Sequence, residues 1–395
     1  MTSASSMVPS RSTVGEGTVR PVRRTRIAMT GTYPPTQCGL ATFSRSLRNA
    51  LVEDADVDVV RVVGRDVPSG DAREVTTRWF GGERAGIPAV LRAIDGVDLL
   101  IVQHEFGIYG GRDGADVIEL LEAVSAPTIV VLHTALGNPS GHQRAVLNRV
   151  TAAADRVVVQ SAVARERILH SVDVDPERLI VIPHGAALNL AGPRPTLAPG
   201  PCVLTWGLLG PGKGIEHGIR ALAALGPGEP SPTYVVLGGT HPKVFEREGD
   251  AYRQSLMALA DQLHVADRVR FDDGYRDTDE LRACVRAADV VLLPYDSRDQ
   301  VTSGVLVEAL AAGKPVVATA FPHAVEALAC GAGIVVPHGD PVAMAGALGV
   351  ALFDRSKGDV MRAAASAEAP HLDWSCVAAR YLELGQTITK QAVAA

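Results

Sequence analysis

The sequence of 395 residues has few cysteines, no long apolar run and no recognisable metal-binding motif. Its five cysteines are scattered and form no Cys-x-x-Cys pair, which argues against a zinc site or a disulfide framework and favours reduced thiols in a cytoplasm. No window of about 20 apolar residues occurs, so we expect no membrane-spanning helix. The 11 histidines form no His-Glu-x-x-His motif and no close His/Asp cluster, and we therefore expect no metal site.

The charge balance excludes a further class of protein. The formal net charge is −6, whereas a nucleic-acid-binding protein shows a basic face. A single local basic run, at 20–26, is consistent with a solvated lead-in to the first strand. Residues 1–22 are rich in Ser, Thr and Gly and lack the apolar segment of a signal peptide, which predicts a disordered tail.

Short β-branched runs alternate with amphipathic helical patterns along the rest of the chain. Continuous apolar strands that alternate with helices indicate parallel sheets covered on both faces. In the first half, strands are predicted at 26–31, 57–64, 98–105, 128–134, 156–161 and 178–185, and helices at 40–52, 114–124, 141–154 and 161–171.

A segment dense in Pro and Gly, at 186–200, separates this half from a second one and is typical of a linker. The fold class is therefore α/β, with two doubly wound Rossmann-like domains in tandem, at 23–190 and 200–372, followed by a helical stretch at 373–395. In the second half, strands are predicted at 202–207, 233–239, 268–273, 289–295, 315–320 and 333–337, and helices at 214–225, 245–263, 277–287, 303–312 and 340–352.

The loop after the first strand, at 31–43, is the first candidate ligand site, because ligands of such sheets bind beyond the carboxyl ends of the strands. It lacks the Gly-x-Gly-x-x-Gly fingerprint of a nicotinamide dinucleotide site, which argues against a dehydrogenase. Gly39 stands where the helix opens and would let a ligand approach the backbone N–H groups. A simple strand-to-helix turn is the alternative interpretation.

The corresponding loop of the second half reads WGLLGPGKGIEHG, at 206–218. Gly207, Gly212 and Lys213 precede a helix, where N–H groups, the helix dipole and one ammonium favour an anion. The loop is not of the Gly-x-x-x-x-Gly-Lys-[Ser/Thr] type, because Gly214 stands where Ser or Thr is needed. A glycine-rich turn with a surface lysine is the alternative.

The stretch DQVTSGVLVEALAAGKPVV, at 299–317, contains a third loop of this kind. Thr302, Ser303 and Gly304 stand where the helix starts, so the hydroxyls can cap it and free N–H groups can face the cleft. Glu308 follows one turn later on the same face. A carboxylate there fits hydroxyl donors, such as those of a ribose, better than phosphate. A capping or ion-paired glutamate is the alternative.

Taken in order, these segments resemble the retaining, nucleotide-sugar-dependent glycosyltransferases of family 4, which have the GT-B fold. YPPTQCGLATF resembles the acceptor-side glycine loop, and WGLLGPGKGIE resembles the GR-L-x-x-x-KG loop. VTSGVLVEALAAGKPVVAT resembles the signature E-x-F-G-x-x-x-x-E-A-x-A-x-G-x-P-V-V. ADRVVVQSAVARERI with RLIVIPHGA resembles the approach to the interdomain linker, and GAGIVVPHGDPVAMAGAL resembles the C-terminal strand–helix step. The resemblance covers nearly the whole chain after the tail.

The resemblance implies roles for individual residues. The catalytic candidates are Lys213 for the donor diphosphate, Glu308 for the ribose hydroxyls, and His133, at the end of the strand TIVVLH, for the donor sugar. The N–H groups of Ser303 and Gly304 would face the distal phosphate and the sugar, and the last helix would pack back on the N-terminal domain. The other donor-binding candidates are Gly39, Gly207, Gly212, Gly274, Tyr275, Gln300 and Thr302, with the segment 274–276 at the edge of the nucleobase.

Two positions depart from the family pattern. Leu208 stands where the family has an arginine, so one positive charge on the diphosphate is missing. Gln300 stands where the family has the first glutamate of its signature, and Asp299 offers a carboxylate one position away. Three cations could replace the missing arginine: Arg298, Lys243 and Arg276.

The function implied by the resemblance is transfer of a sugar from a UDP- or GDP-sugar to a carbohydrate or other hydroxyl acceptor, with retention of configuration. The donor is a co-substrate, and no cofactor or metal is implied. The alternatives are a nucleotide-sugar epimerase or a phosphorylase of the same fold, and a catalytically inactive nucleotide-binding protein. The donor base, the sugar, the acceptor and the oligomeric state stay open at this point.

Overall fold

Two parallel β-sheets, one in each half of the chain, organise the computed structural model. The structure describes residues 23–64, 70–226, 230–274 and 276–394. The predicted tail at 1–22 and the candidate Tyr275 lie outside the described residues. The α/β class and the pair of doubly wound sheets predicted from the sequence are confirmed.

Within the described residues, the first sheet has seven parallel strands in the order β3-β2-β1-β4-β5-β6-β7. β4 and β5 are buried along their whole length, as expected for strands covered on both faces. The chain order reverses between β1 and β4, which opens a crevice at the carboxyl ends of these strands. The strands are β1 (Thr25–Gly31), β2 (Ala55–Val63), β3 (Val75–Phe80), β4 (Leu99–His104), β5 (Thr128–Leu132), β6 (Arg156–Val159) and β7 (Leu179–Val181).

Polar side chains fix the starts of the helices that follow these strands. Ser140 and Gln143 form a reciprocal capping box at α4, and the Ser161 hydroxyl caps α5. The thiol of Cys38 accepts a hydrogen bond from the first turn of α1. The helices are α1 (Gly39–Leu51), α2 (Ile87–Ala93), α3 (Val117–Ala123), α4 (Gly141–Ala153) and α5 (Ala162–Ser171).

The second sheet repeats this arrangement with six parallel strands in the order β10-β9-β8-β11-β12-β13. Its order reverses between β8 and β11, so the second crevice lies at the carboxyl ends of these two strands. The strands are β8 (Cys202–Trp206), β9 (Thr233–Leu237), β10 (Val269–Asp272), β11 (Val290–Leu293), β12 (Val316–Thr319) and β13 (Gly333–Val336).

The helices of the second half cover this sheet and then return to the first domain. Among the described residues, none of the helices is both long and apolar enough to span a membrane. They are α6 (Ile215–Leu225), α7 (Pro242–Glu248), α8 (Ala251–Gln262), α9 (Thr278–Ala287), α10 (Gly304–Ala311), α11 (Pro322–Ala327), α12 (Pro341–Phe353), α13 (Arg355–Leu372) and α14 (Trp374–Ala394).

The last helix, α14, packs on the first sheet. Val377, Ala378 and Tyr381 are buried in the same apolar core as strands β1 and β4. At its start, the ring of Trp374 lies directly on Gly185, where an added Cβ would come within 2.3 Å of a ring carbon. A side chain at position 185 would therefore clash with Trp374 where the chain crosses back.

Five of the strands and helices differ from the sequence-based expectation, and two of these, the helices α11 and α13, have no counterpart among the predicted helices. Strand β3 and helix α2 were not predicted, because β3 lies at the sheet edge with alternate residues exposed and α2 is only two turns long. The single helix predicted at 245–263 is wrong. It is divided into α7 and α8 at Gly249, whose φ of 58° is a left-handed conformation that favours glycine.

Candidate functional site

A cavity of about 570 Å³ opens between the two domains, at the carboxyl ends of both sheets. The first domain contributes α1 and the residues after β4, β5 and β7, while the second contributes the end of β8, α9 and the first turn of α10. The predicted site residues on its wall are Gly39, His133, Thr302, Gly304 and Glu308. Loops predicted independently in the two halves therefore face one space.

Glu308 projects from α10 into this cavity. Its side chain is open to the cavity although protein surrounds it, and Oε2 accepts a hydrogen bond from Trp206 Nε1 at 3.1 Å. Burial raises the pKa of the carboxyl, whereas the Trp206 bond and the charge of Arg282 lower it. Because Trp206 occupies one oxygen, the other can accept hydrogen bonds from the hydroxyl groups of a ligand.

Trp206 is a site residue that the sequence analysis missed. It ends β8, is 5% exposed, and lines the cavity with the apolar side chains of Leu281 and Val285. Its contact with Glu308 joins positions 102 residues apart. The only signal in the sequence was its place at the start of the glycine-rich loop.

Two hydrogen bonds within the protein hold the start of α10. Ser303 Oγ accepts the Leu306 N–H at 3.3 Å, and the Ser303 N–H donates to Nδ1 of His323 at 2.9 Å. The Ser303 N–H, which the family resemblance assigns to phosphate, is thus already bonded in this structure. Helix geometry leaves the N–H groups of Gly304 and Val305 without a partner inside the helix, and both residues line the cavity.

His184, another residue that the sequence analysis did not single out, lies against the start of α10. Its Nδ1 donates to the carbonyl of Gly185 at 2.7 Å, which leaves Nε2 as an acceptor. A Cβ added to Gly304 would lie 3.2 Å from that Nε2, so glycine permits the close approach of the two domains here. Burial lowers the pKa of His184 to about 4, which keeps the ring neutral at pH 7.

His133 faces the cavity with both ring nitrogens bonded inside the first domain. Nε2 lies 2.7 Å from Oε1 of Gln103, and Nδ1 lies 3.4 Å from Nε2 of Gln160. The two contacts are satisfied together when Nε2 carries the proton. Burial lowers the pKa of His133 to about 3. A neutral ring with both nitrogens engaged is poorly suited to act as a general base.

Lys213 lies beside the cavity rather than on its wall. Its ammonium stands 4.7 Å from the ring centroid of Tyr295, and burial lowers its pKa. The phenol of Tyr295 interacts in turn with Ser303 and with the charge of Glu308. Lys213 lines a separate groove of about 540 Å³ that also contains Leu208. The aromatic ring therefore connects this lysine to the start of α10.

The structure distinguishes the three cations that could replace the missing arginine. Arg276 is held by Asp272 through hydrogen bonds of 3.1 and 2.7 Å. Arg298 is exposed in the loop after β11 and does not line the groove of Lys213. Lys243 lines that groove. Of the three, Lys243 is the one that shares a surface with Lys213.

The Gln300 side chain stabilises its own loop. Its Nε2 donates to the carbonyl of Thr302 at 3.1 Å, and its backbone carbonyl accepts the His323 N–H at 3.2 Å. Asp299 faces the first domain, where Arg167 donates to its backbone carbonyl at 2.8 Å. The amide of Gln300 therefore does not line the cavity, and the carboxylate of Asp299 does not replace it there.

The same loop joins the two domains. Val301 is 5% exposed and belongs to the apolar core of the first domain, and its carbonyl accepts a hydrogen bond from Ser161 Oγ at 2.8 Å. On the other side, the carboxylate of Glu326 accepts the first two N–H groups of α5 at 2.7 and 2.9 Å. An anionic side chain is favoured at that helix end. These contacts join the loop that leads into α10, and helix α11, to the first domain.

The predicted glycines have different surroundings. Gly207 and Gly212 have φ values of 119° and 89°, a region that favours glycine, so the loop after β8 depends on both. Gly274 does not line the cavity between the domains. It lines a separate cavity of about 670 Å³ beside β10.

Among the described residues, one group could offer three metal ligands, Glu216, His217 and Asp296. Nε2 of His217 lies 3.0 Å from Oδ1 of Asp296, and Tyr252 donates a hydrogen bond to Glu216. These bonds engage part of the hydrogen-bonding capacity of the three side chains. None of the three lines the cavity between the domains.

Family models match both halves of the chain. Residues 200–354 match the model described as glycosyl transferases group 1, and residues 38–190 match the model described as glycosyltransferase family 4. The chain belongs to the family 4 (group 1) glycosyltransferases. Apart from Trp374, the residues that line the cavity between the domains lie within the two matched regions.

Curated relatives of this glycosyltransferase agree with the assignment. The D-inositol 3-phosphate glycosyltransferase of Corynebacterium glutamicum is 31% identical over 244 residues, which are 58% of this chain and 57% of that protein. The protein of the same name from Salinispora tropica is 32% identical over 246 residues, 57% of this chain and 49% of that protein. The matched part of the chain thus spans about half the length of these relatives.

Solved structures agree with the GT-B fold of this glycosyltransferase. Anabaena HepE in complex with UDP has a TM-score of 0.71 at 18% identity and covers 92% of this chain and 100% of that one. Sucrose-phosphate synthase from Thermosynechococcus elongatus has a TM-score of 0.71 at 21% identity and covers 94% of this chain and 100% of that one. At these identities the likeness shows the fold alone.

Proposed function

We propose that this protein transfers a sugar from a nucleoside-diphosphate sugar to a hydroxyl acceptor with retention of anomeric configuration. The observation that carries the proposal is the cavity between the domains, where the open carboxylate of Glu308 and the N–H groups of Gly304 and Val305 share one wall. A carboxylate next to a helix N-terminus matches a ligand that joins hydroxyl groups to an anion. A nucleoside diphosphate is such a ligand.

In the proposed complex, Glu308 accepts hydrogen bonds from the ribose hydroxyls and the start of α10 faces the phosphates. Lys213 and Lys243 supply positive charge from the groove that they share. We favour UDP over GDP, because HepE was solved with UDP and with UDP-glucose, and another structural neighbour with UDP-2-fluoro glucose. Trp206, Leu281 and Val285 offer an apolar surface for the nucleoside.

The proposed reaction breaks the bond between the anomeric carbon and the distal phosphate oxygen and forms a bond from that carbon to the acceptor oxygen. Negative charge develops on the leaving diphosphate, which then takes the acceptor proton. Lys213 and the N-terminus of α10 stabilise this charge. Preorganised charged and polar groups of this kind provide a large part of the rate enhancement in many enzymes. No general base is needed, in keeping with the neutral, fully bonded His133. The donor serves as co-substrate, and the scheme requires no metal or further cofactor.

The acceptor is proposed to enter from the first domain. Arg45 and Glu105 line that side of the cavity, and Glu105 is fixed by hydrogen bonds from the Thr134 hydroxyl and the Phe106 N–H. A polyol or sugar hydroxyl fits a carboxylate acceptor, and an anionic substituent would fit the guanidinium. Inositol phosphates therefore belong in the acceptor panel, as the names of the curated relatives also indicate.

The experiment is a panel of UDP- and GDP-sugars with the purified protein, assayed for nucleotide release with and without acceptors. We expect acceptor-dependent release of UDP and an NMR spectrum that shows the donor anomeric configuration in the product. Lys213→Ala and Glu308→Ala should abolish most turnover. Turnover unchanged in both variants would overturn the site. Conversion of the donor without acceptor would indicate an epimerase, and dependence on inorganic phosphate would indicate a phosphorylase. Nucleotide binding without turnover would indicate an inactive binding protein.

A further inference from the structure

A second polar cavity, of about 520 Å³, lies behind α10 between the interdomain linker and α13. Four separate segments place cations on its wall: Arg194 from the linker, Arg286 from the end of α9, Lys314 after α10, and Arg362 from α13. One acidic residue, Asp289, also lines it. The cavity is therefore strongly cationic, and it shares no lining residue with the cavity that contains Glu308.

Most of these cations have no acidic partner. Arg362 pairs with Asp359 at 2.6 Å, but the other three have no ion-pair partner among the described residues. The carboxylate of Asp289 accepts a hydrogen bond from the N–H of Cys202 at 2.8 Å, so one of its oxygens is already bonded to the backbone. The positive charge of the cavity is thus not balanced within the protein.

Lys314 is the most buried of the four cations, since only 8% of its surface is exposed. Its ammonium donates to the carbonyls of Arg286 and Ala288 at 2.5 and 2.8 Å, which accounts for two of its three N–H groups. Burial and the charges of Arg194 and Arg362 lower its pKa to about 8, against the opposite effect of Asp289. An anion in the cavity would relieve this repulsion.

We propose that this cavity is a binding site for a small phosphorylated anion, held by Arg194, Arg286, Lys314 and Arg362. Guanidinium groups form paired hydrogen bonds with phosphate oxygens, and an ammonium adds a compact charge. The site connects three parts of the molecule: the linker, the second sheet and α13. A bound anion fixes the linker to the second domain.

The site is also linked to the cavity between the domains. Arg286 donates a hydrogen bond to the side chain of Asn189, and Asn189 donates to the carbonyl of Arg282 at 3.0 Å. Asn189 and Arg282 line the cavity that contains Glu308. An anion that engages Arg286 therefore acts on the residues beside the proposed nucleoside position.

The test is isothermal titration of inorganic phosphate into the full-length protein, without donor or acceptor, so its outcome does not depend on sugar transfer. We expect saturable binding. Arg194→Gln and Arg362→Gln, which change residues at the open side of the cavity, should each weaken it by about tenfold, the effect of losing one charge-assisted hydrogen bond. Lys213→Ala and Arg220→Gln, an exposed arginine of α6 outside the cavity, should leave the dissociation constant unchanged.

Two results would overturn the proposal. One is the absence of saturable binding. The other is binding that is unchanged in Arg194→Gln and Arg362→Gln. If that binding is lost in Lys213→Ala, the phosphate occupies the donor groove instead. Circular dichroism of each variant confirms that the comparison is made between folded proteins.

Discussion

Replacing Trp206 by Phe tests whether the indole N–H positions Glu308 for the nucleotide. The change removes the 3.1 Å hydrogen bond and leaves an aromatic ring on the cavity wall. A hydrogen bond to a charged group contributes about 1.5–3 kcal/mol, but Glu308 is open to the cavity, where water partly replaces the indole. We therefore expect a loss of about 1 kcal/mol, or roughly fivefold in kcat/KM for the donor.

The same substitution should change the pH profile. Burial raises the pKa of Glu308, and the indole bond and Arg282 oppose that rise. The phenol of Tyr295 also interacts with the carboxylate and is neutral at these pH values, since its ordinary pKa is near 10 and burial and Glu308 raise it further. Loss of the indole bond raises the pKa of Glu308 further. Because the ionised form accepts the ribose hydroxyls, the acidic limb of the kcat/KM profile should move to higher pH.

The assay is donor-dependent nucleotide release between pH 5 and pH 8, with Trp79→Phe as the matched control. Trp79 is also buried, and its indole donates to the carbonyl of Glu83 at 3.3 Å in the first domain, away from the cavity. The control should lose stability without a change in the pH profile. A Trp206→Phe enzyme with an unchanged acidic limb would refute the role of the indole in positioning Glu308.

Three further predictions follow from single contacts. Burial lowers the pKa of His104 to about 4, from 6.5. Because this histidine binds its proton at a higher pH in the unfolded chain than in the folded protein, the free energy of unfolding should fall as the pH drops from about 6.5 to 4. His104→Gln should flatten this decline by up to about 1.4 kcal/mol per pH unit in urea denaturation, and an unchanged slope would contradict the burial of a neutral ring. Gly304→Ala should weaken UDP binding because its Cβ would press on the ring of His184. Gly141→Ala, at the start of a helix with open space around it, should not weaken UDP binding. Equal effects of the two variants in calorimetry would contradict the packing of Gly304 against His184. Lys243→Gln should lower kcat/KM for the donor about fivefold, and adding Leu208→Arg to that variant should restore it. If Lys243→Gln leaves kcat/KM unchanged and Leu208→Arg has no effect, Lys243 does not bind the diphosphate.

The regular part of the fold was predictable because it follows from local patterns. Continuous apolar strands, such as TIVVL in β5, indicate parallel sheets without knowledge of their partners. The edge strand β3 was not predicted because alternate residues are exposed, so its sequence contains no continuous apolar run. The break at Gly249 depends on one left-handed residue within an otherwise helical pattern.

The site was predictable only where one segment carries the chemistry. Glu308 and Gly304 stand in a single motif, and both line the cavity. Their hydrogen-bond partners lie in other segments of the chain. Trp206 donates a hydrogen bond to Glu308, and His323 accepts one from the Ser303 N–H. Such contacts join positions far apart in the sequence, so only the fold reveals them.

The most direct test of the proposed donor site is a comparison of UDP with 2′,3′-dideoxy-UDP by calorimetry, in the wild-type protein and in Glu308→Ala. If Glu308 binds the ribose hydroxyls, their removal should weaken binding by about tenfold or more in the wild type and have little effect in the variant. An equal loss in both proteins, or no UDP binding at all, would contradict the assignment of this cavity to a nucleotide sugar.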